Sequence, residues 1–557
     1  MHRRDFLAGC ALAGTLGPAA AAQGLIEPAV RQLAAGGEDI AVLNARIWTM
    51  DPARPRAEAA LVRGGRIVRV GSTAEIRRLA GGVRPFDAGG RTVVPGFIDT
   101  HTHLELSTYY FAGLQADIHF PAVSSLPQIF AAMRAHAAKT PPGEWVIGRG
   151  GFGLAQQVAE KRMPTREELD AISQTQPVVV MAGLHAWSMN TVAFKKLDLW
   201  DPAAARERRW RDGRRIVGTD VARDADGRPT GVATETFDLM PNEAHSYVRK
   251  RDALRSQVVP HFSAKGITSV ATIPQFDDDM PIVQELQALG QLPMRIRYYP
   301  IVPSMVSVEG VRNQGLLSGF GDDMLRFGGL KIFVAGAGYD ATFKRTTDLK
   351  WTQEELDHVV WTAHAQGLQL FMHQAGDSLP YTLAAVEKAQ ARIPRALRHR
   401  LEHYGLLTPE EMDRVRRLGM KVSITAPDDR SRQPNSRPTP RYRTMIEKGL
   451  EPVAVSDSTG TIPQFSPMIG IAGMVAPAEA GGASPAGQAP ELEDAIRMYT
   501  LWAARSQFED RAKGSITPGK LGDFAVLDRD LSGVRPGDMF DVRVDATILG
   551  GRVVFAR

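Results

Sequence analysis

Apolar and polar positions follow two different rhythms along this chain. Near the amino end, residues 40–50 and 60–71 alternate in strand fashion, and residues 521–528 and 546–556 do the same near the carboxyl end. Period-two alternation marks strands with one buried face. Arg63-Gly64-Gly65-Arg66 sets a two-glycine hairpin turn within the second run, and Gly550-Gly551 sets another within the last. The middle of the chain reads differently. Short, nearly continuous apolar runs alternate there with helical patterns: Val93 to Ile98, Gly266 to Thr272, Met294 to Pro300, Gly329 to Val334, Leu368 to His373, Arg400 to His403, Met420 to Thr425 and Pro452 to Ser456. Strands buried on both faces and separated by helices signal parallel pairing.

The expected fold is therefore α/β: a TIM-like (β/α)8 barrel, with a small β-sandwich built from both termini and an insertion after the first barrel strand. The expected boundaries are 39–92 and 510–557 for the two parts of the sandwich and 93–509 for the barrel, with the insertion at about 104–260. Pro177 to Met181 reads as a strand of that insertion, and Pro164-Thr165-Arg166-Glu167 as a helix start with acid in its first turn.

Length and composition agree with this picture. At 557 residues the chain exceeds one minimal domain and accommodates a barrel with a companion. A net charge of +5 is small for that length, and no basic stripe is interleaved with aromatics, so nucleic acid is not an expected partner. No apolar stretch approaches the roughly 18 residues of a membrane span. His2-Arg3-Arg4-Asp5-Phe6-Leu7 resembles a twin-arginine export signal, with Ala20-Ala21-Ala22 before Gln23 as its cleavage site. Residues 1–22 are thus expected to be a signal peptide and 23–38 a linker, with the twin-arginine machinery as a partner and a periplasmic or secreted location. Leu7-Ala8-Gly9-Cys10 mimics a lipobox but lies too close to the arginines for an apolar region to fit between. Cys10 is the only cysteine and would leave with the signal, so any metal site must use nitrogen and oxygen donors.

The candidate chemistry begins at the end of the first apolar run, in Asp99-Thr100-His101-Thr102-His103. Residues two apart on a strand point the same way, so both imidazoles can converge on one ion. This stretch resembles the opening metal motif of the amidohydrolase superfamily. Trp145-Val146-Ile147-Gly148-Arg149-Gly150, His185-Ala186-Trp187-Ser188-Met189-Asn190 and Gly227-Arg228-Pro229-Thr230-Gly231, with Glu235 after it, resemble the amidohydrolase-3 branch, which includes N-substituted formamide deformylases. The phrase Lys513-Gly514-Ser515 to Asp523 resembles the carboxyl-terminal part of the same superfamily. It also mimics a phosphate-binding loop, but Leu521 stands where a Ser or Thr would hold magnesium, so nucleotide binding is rejected.

The resemblance implies further ligands at later strand ends: Lys331, His373, His403 and Asp457. Lys331 lies in an apolar strand, and burial favours its neutral amine. The resemblance implies that carbon dioxide adds to it as a carbamate bridging two divalent metal ions, zinc by preference. Asp457 would be the catalytic residue, ligating one ion, orienting a metal-activated hydroxide and taking its proton. His136, His358, His364 and His399 lie in helical or arginine-rich stretches and are expected to pack or face solvent.

The expected activity is hydrolysis of a non-peptide C–N bond in a small molecule: an amide, formamide or cyclic amide. A deaminase, an ester, lactone or phosphoester hydrolase, and a non-catalytic metal-binding protein remain as alternatives. No Gly-x-Ser-x-Gly nucleophile elbow occurs. His185 and Tyr109 are candidates to contact the substrate, residues 428–443 to form a lid, and residues 476–490 to be mobile. Oligomeric state is not legible. Val334-Ala335-Gly336-Ala337-Gly338 and Thr425-Ala426-Pro427 replace an Asp-Gly and a Gln-Pro common in the branch, and both departures bear on substrate.

Overall fold

A computed structural model describes residues 37–557, except 152, 203–218, 237–238, 337–348, 427–439 and 459–464. The expected signal, Cys10 and most of the expected lid lie outside the described residues.

Eight parallel strands carry the middle of the chain: β1 (Phe97–Thr102), β2 (Ile267–Thr272), β3 (Arg295–Tyr298), β4 (Leu330–Phe333), β5 (Leu370–His373), β6 (Arg400–Glu402), β7 (Lys421–Thr425) and β8 (Val453–Val455). β1, β2 and β3 pair in sequence, with Leu325–Phe327 beyond β3. β4 to β8 pair in sequence in a second sheet, flanked at β4 by Ile301–Val302. The two sheets meet twice. Lys331 N donates to Pro300 O just past β3, and Asp457 N past β8 donates to His101 O of β1 (both 3.0 Å). The apolar residues of these strands pack with the flanking helices in one large core.

The first and last of the described strands form a second body. One sheet joins Ile40–Leu43, Ala59–Arg63, Arg66–Gly71 and Pro85–Asp87. The other joins Arg46–Trp48, Arg56–Ala57, Thr92–Pro95, Phe524–Leu527, Val544–Leu549 and Arg552–Ala556. Ile40, Val42, Val62 and Ile67 of the first share a core with Ile47, Val93, Phe524 and Ile548 of the second. Gly64-Gly65 and Gly550-Gly551 form the hairpin turns, all at positive φ.

The apolar run Val93 to Ile98 is two strands rather than one. Thr92–Pro95 belongs to the terminal sheet and Phe97–Thr102 to the central one. They separate at Gly96, whose N donates to Asp523 O (2.9 Å) while the next amide, Phe97 N, donates to Gly266 O (2.9 Å). A Cβ on Gly96 would lie 2.3 Å from Thr268 Oγ1, so only glycine allows that approach. The change of sheet locks β1 against its partners before the histidines begin. The phrase that mimics a phosphate loop serves the same joint: Asp523 pairs with buried Arg295 of β3 through Nε (2.7 Å) and a second guanidinium nitrogen (2.9 Å).

The insertion between β1 and β2 has its own six-stranded sheet, ordered Asp220–Arg223, Pro229–Thr234, Ala186–Met189, Val178–Ala182, Val146–Gly150 and Ala116–Asp117. The helix Arg166–Asp170 starts where expected, with a capping box between Thr165 and Glu168. Among the described residues no helix is long and apolar enough to cross a membrane.

At the opposite end of the strands from the histidine motif, His364 and His399 form a buried relay. Leu370 N–H donates to His399 Nδ1 (3.1 Å), which places the His399 proton on Nε2. That nitrogen donates to His364 Nδ1 (3.0 Å), and His364 Nε2–H donates to Ile393 O (2.8 Å). All four nitrogens are satisfied only with both rings neutral. Burial, aided by His364, pushes His399 down to about 3 from its ordinary 6.5. The unfolded chain therefore takes up this proton first as pH falls below 6.5, and stability is lost through that window toward pH 3. This site alone should cost about 2 kcal/mol of unfolding free energy between pH 7.5 and 5. Urea denaturation at the two pH values, compared with His399→Gln, should show a pH dependence shallower by that amount in the variant.

Candidate metal centre

Five of the six expected ligands sit at the carboxyl ends of the parallel strands or just beyond them, and Lys331 lies within β4. Every residue of β1 is buried, including His101, and His103 follows immediately as the residue before the helix Leu104–Phe111. His101 Nδ1 meets Glu402 Oε2 at 2.5 Å, which directs Nε2 inward. His103 Nδ1–H donates to Ile273 O (3.0 Å), so its Nε2 also faces the interior with a lone pair. Asp457 Oδ1 lies 3.6 Å from His101 Nε2 and 3.5 Å from His103 Nε2.

Those three residues offer donor atoms that all lie within 4.8 Å of one another. Tetrahedral zinc with bonds of about 2.1 Å requires ligand separations of roughly 3.4 Å. His101 Nε2 is buried and has no hydrogen-bond partner among the described residues, a costly state that an ion would relieve. The donor set fits a divalent cation.

The other residues expected as ligands lie near this triad. The His403 ring lies 4.3 Å from that of His101 and 5.1 Å from that of His373. His403 Nδ1 is 3.0 Å from Thr425 Oγ1 and 3.9 Å from Asp457 Oδ2. His403 and Asp457 both adopt left-handed backbone at φ 64° and 50°. Each such residue costs about 1–2 kcal/mol, and here the twist follows directly on β6 and shortly after β8. Lys331 is buried on β4 with Nζ 4.8 Å from the Phe333 ring centre.

Burial and charge set the protonation states. Burial lowers Lys331 to about 8, against the pull of Glu402 and Asp457. Burial, then Lys331 and His403, holds His101 well below its ordinary value. Burial, then Lys331, does the same to His373, and His403 falls to about 4. Burial would raise Asp457, but His403, His103 and His101 outweigh it and hold the carboxylate ionised. Neutral imidazoles, an anionic carboxylate and a deprotonatable lysine are the forms that bind cations.

Two expected substrate contacts part ways. His185 joins the group, its ring 5.2 Å from that of His373. Tyr109 does not: it is fully buried, and its hydroxyl donates to Asp279 Oδ1 at 2.6 Å beneath the insertion. Asp279 starts the helix Asp279–Ala288 and also accepts from Gln275 N and Phe276 N (both 2.8 Å), so the tyrosine completes a structural anchor. His136 and His358 bond Leu114 O (3.1 Å) and Glu309 (2.7 Å), away from the centre.

Glu402 was not anticipated as a site residue. Burial would raise its carboxyl, yet Arg400 and His101 together hold it far below the usual range. Arg400 Nε is 2.7 Å from its Oε1. Two charged residues on one face of the wholly buried strand β6 were the available signal. Asp99, also unanticipated, takes bonds from Ser456 N (3.1 Å) and Ser456 Oγ, joining β1 to the residue before Asp457.

Nitrogen and oxygen donors of His101, His103 and Asp457 thus lie together beside parallel strand ends, in a group that could hold a metal ion. The chain belongs to the amidohydrolase family, whose model matches residues 84–555. It is 27% identical to N-substituted formamide deformylase of Arthrobacter pascens, over 93% of this chain and 98% of that protein. It is 25% identical to the protein LONG AFTER FAR-RED 3 of Arabidopsis thaliana, over 93% and 91%. In fold it resembles an uncharacterised metal-dependent hydrolase of Pyrococcus horikoshii (TM-score 0.65, 19% identity, 90% of this chain and 99% of that one). It likewise resembles the zinc complex of atrazine chlorohydrolase TrzN of Arthrobacter aurescens (TM-score 0.52, 16% identity, 92% and 94%).

The Glu402 brace yields a direct expectation. Glu402→Gln leaves every expected ligand in place but removes the charge that orients His101, and such changes cost about 10–100-fold in metal affinity. Zinc titration against a competing chelator should show that loss, with the melting temperature of the metal-free protein recorded alongside.

Proposed function

We propose that this protein hydrolyses the C–N bond of a small amide, with N-substituted formamides as the first candidates. That it is a metal-dependent hydrolase acting on C–N bonds follows from family membership across most of the chain. The observation that carries the finer reading is the convergence of His101, His103 and Asp457, with buried Lys331 near enough to act on His101 and Asp457 through its charge. The formamide preference is supported by the deformylase relative, matched over nearly its full length. We read the parallel strands as a closed (β/α)8 barrel joined to a β-sandwich, and residues 1–22 as an export signal that delivers the mature enzyme to the periplasm or beyond.

His101 and His103 would hold one ion, His373 and His403 a second, with Asp457 on the first and a carbamate on Lys331 between them. Divalent ions at such a site lower the pKa of water from about 15.7 to about 7 and polarise a carbonyl oxygen. The rest of the task falls to the chain. Asp457, ionised and fixed by its left-handed backbone, accepts the proton of the attacking water on a carboxylate oxygen and delivers it to the leaving nitrogen. Glu402 and Ile273 O keep both first-strand imidazoles aimed. His101, His103 and Lys331 are buried, while His373, His403 and Asp457 keep partial exposure, so the group opens to solvent on the side of those three residues.

A one-metal deaminase or ester hydrolase is the second reading, favoured by the compactness of the His101–His103–Asp457 group taken alone. Elemental mass spectrometry of the mature protein and of Lys331→Ala separates the two. About two metals per chain, falling sharply in the variant, supports the bridged centre, whereas one metal unchanged by the substitution rejects it. Asp457→Asn should lower kcat toward 4-nitroformanilide, followed by release of 4-nitroaniline, by about 10²–10⁴-fold. Equal turnover of the variant would remove Asp457 from proton transfer.

A further inference from the structure

The seam between the last parallel strand and the first is held by side chains, at the point where Asp457 emerges. β1 and β8 end separate sheets and share no ladder among the described residues. Early in β1, Ile98 N donates to Tyr499 O (2.8 Å) rather than to β8. At the next residue Asp99 takes the place of a backbone partner. It is buried, and its Oδ1 accepts from Ser456 N (3.1 Å) and from His101 N (3.4 Å). Its Oδ2 accepts from Ser456 Oγ. One carboxylate thus aligns the residue before Asp457 with the backbone of the first histidine.

Ser456 works in two directions. Its hydroxyl donates to Asp99 and accepts from Ser458 N (3.0 Å), so it spans Asp457 from one side to the other. Past Asp457 the stitching continues. Ser458 O accepts from His103 N (2.8 Å) and Thr102 Oγ1 (3.1 Å), and Ser458 Oγ lies 3.3 Å from Ser107 Oγ. Asp457 N itself donates to His101 O (3.0 Å). Between these fixed neighbours Asp457 keeps its left-handed φ of 50°, a conformation that persists where the surroundings over-determine it. With that twist its Oδ1 stands 3.6 Å from His101 Nε2 and 3.5 Å from His103 Nε2.

Resting on the reading of Asp457 as metal ligand and proton carrier, we propose that Asp99 and Ser456 form a clasp that positions Asp457 against His101 and His103, and that the clasp affects metal binding and turnover only through that carboxylate. Removing the Ser456 hydroxyl leaves every expected ligand in place and keeps the bond from Ser456 N to Asp99. It takes away the partner of Ser458 N and of Asp99 Oδ2, so the turn that carries Asp457 loses both of its hydroxyl ties. Residues that act through one another give non-additive effects, whereas independent ones add.

The test is a double-mutant cycle read by zinc titration against a competing chelator, with the melting temperature of each metal-free protein recorded alongside. Ser456→Ala should weaken zinc binding about tenfold, and Ser456→Thr, which keeps the hydroxyl, should stay within about twofold of wild type. In the Asp457→Asn background the same Ser456→Ala change should cost nothing further. On zinc-saturated protein, Ser456→Ala should lower kcat toward 4-nitroformanilide about tenfold and move KM by less than about twofold. An equal loss of zinc affinity in both backgrounds overturns the clasp, as does undiminished affinity in Ser456→Ala. Should Ser456→Ala fail to fold, Asp99→Asn enters the same cycle with the same expectation. If Asp457→Asn alone leaves zinc affinity and kcat unchanged, the Asp457 reading fails and the clasp falls with it. Additive losses beside an Asp457→Asn defect remove the clasp alone. A wild type that leaves 4-nitroformanilide intact removes the formamide preference, and the zinc cycle still decides the clasp.

Discussion

The arrangement depends on one buried carboxylate. Glu402 lies within β6 with no exposure, and a bare charge there would be prohibitively costly. Arg400 on the same face and His101 of β1, 301 positions away in the chain, make it tolerable. The pairing works in both directions: the arginine and imidazole neutralise the carboxylate, and the carboxylate directs His101 Nε2 toward Asp457. Such a triad stabilises little compared with an apolar core of equal volume, but removing one member strands the others. It specifies geometry more than it supplies stability.

Around that triad, rigidity is delivered by elements remote from the chemistry. The terminal sheets grip β1 at Gly96 and β3 through Asp523 and Arg295, fixing where the first histidine pair emerges. Asp99 and Ser456 tie the first strand to the segment that carries Asp457. The insertion approaches from the other side and is pinned by Lys350 and Glu235. The candidate centre thus draws its residues from five different strands or their ends and from a separate sheet, and His101, His103 and the segment before Asp457 are each held by a partner far away in sequence.

Much of this was legible beforehand where the signal is local. Seven of the eight apolar runs fall on the strands β2 to β8, the glycine pairs on the hairpin turns, and Thr165 on a helix cap, because backbone preference and burial leave a periodic trace in neighbouring residues. A lysine inside an apolar run singled out Lys331, and the structure buries it within β4. The run from Val93 to Ile98 was misread as one strand because apolarity records burial without recording which sheet does the burying. Tyr109 looked suited to a substrate because its proximity to His103 in sequence is visible, while its bond to Asp279, 170 positions on, is not.

The order of strands, the metal-type donors at their ends and the family were determined by the sequence alone, since each depends on residue type and spacing over a few positions. Tertiary structure decided which donors share a point, which carboxylate orients which imidazole, and that Tyr109 is an anchor while His185 borders the centre. Those outcomes rest on strand register and on approaches such as that of Thr268 to Gly96 or Glu235 to Gly336. They join residues whose separation along the chain carries no periodicity to read.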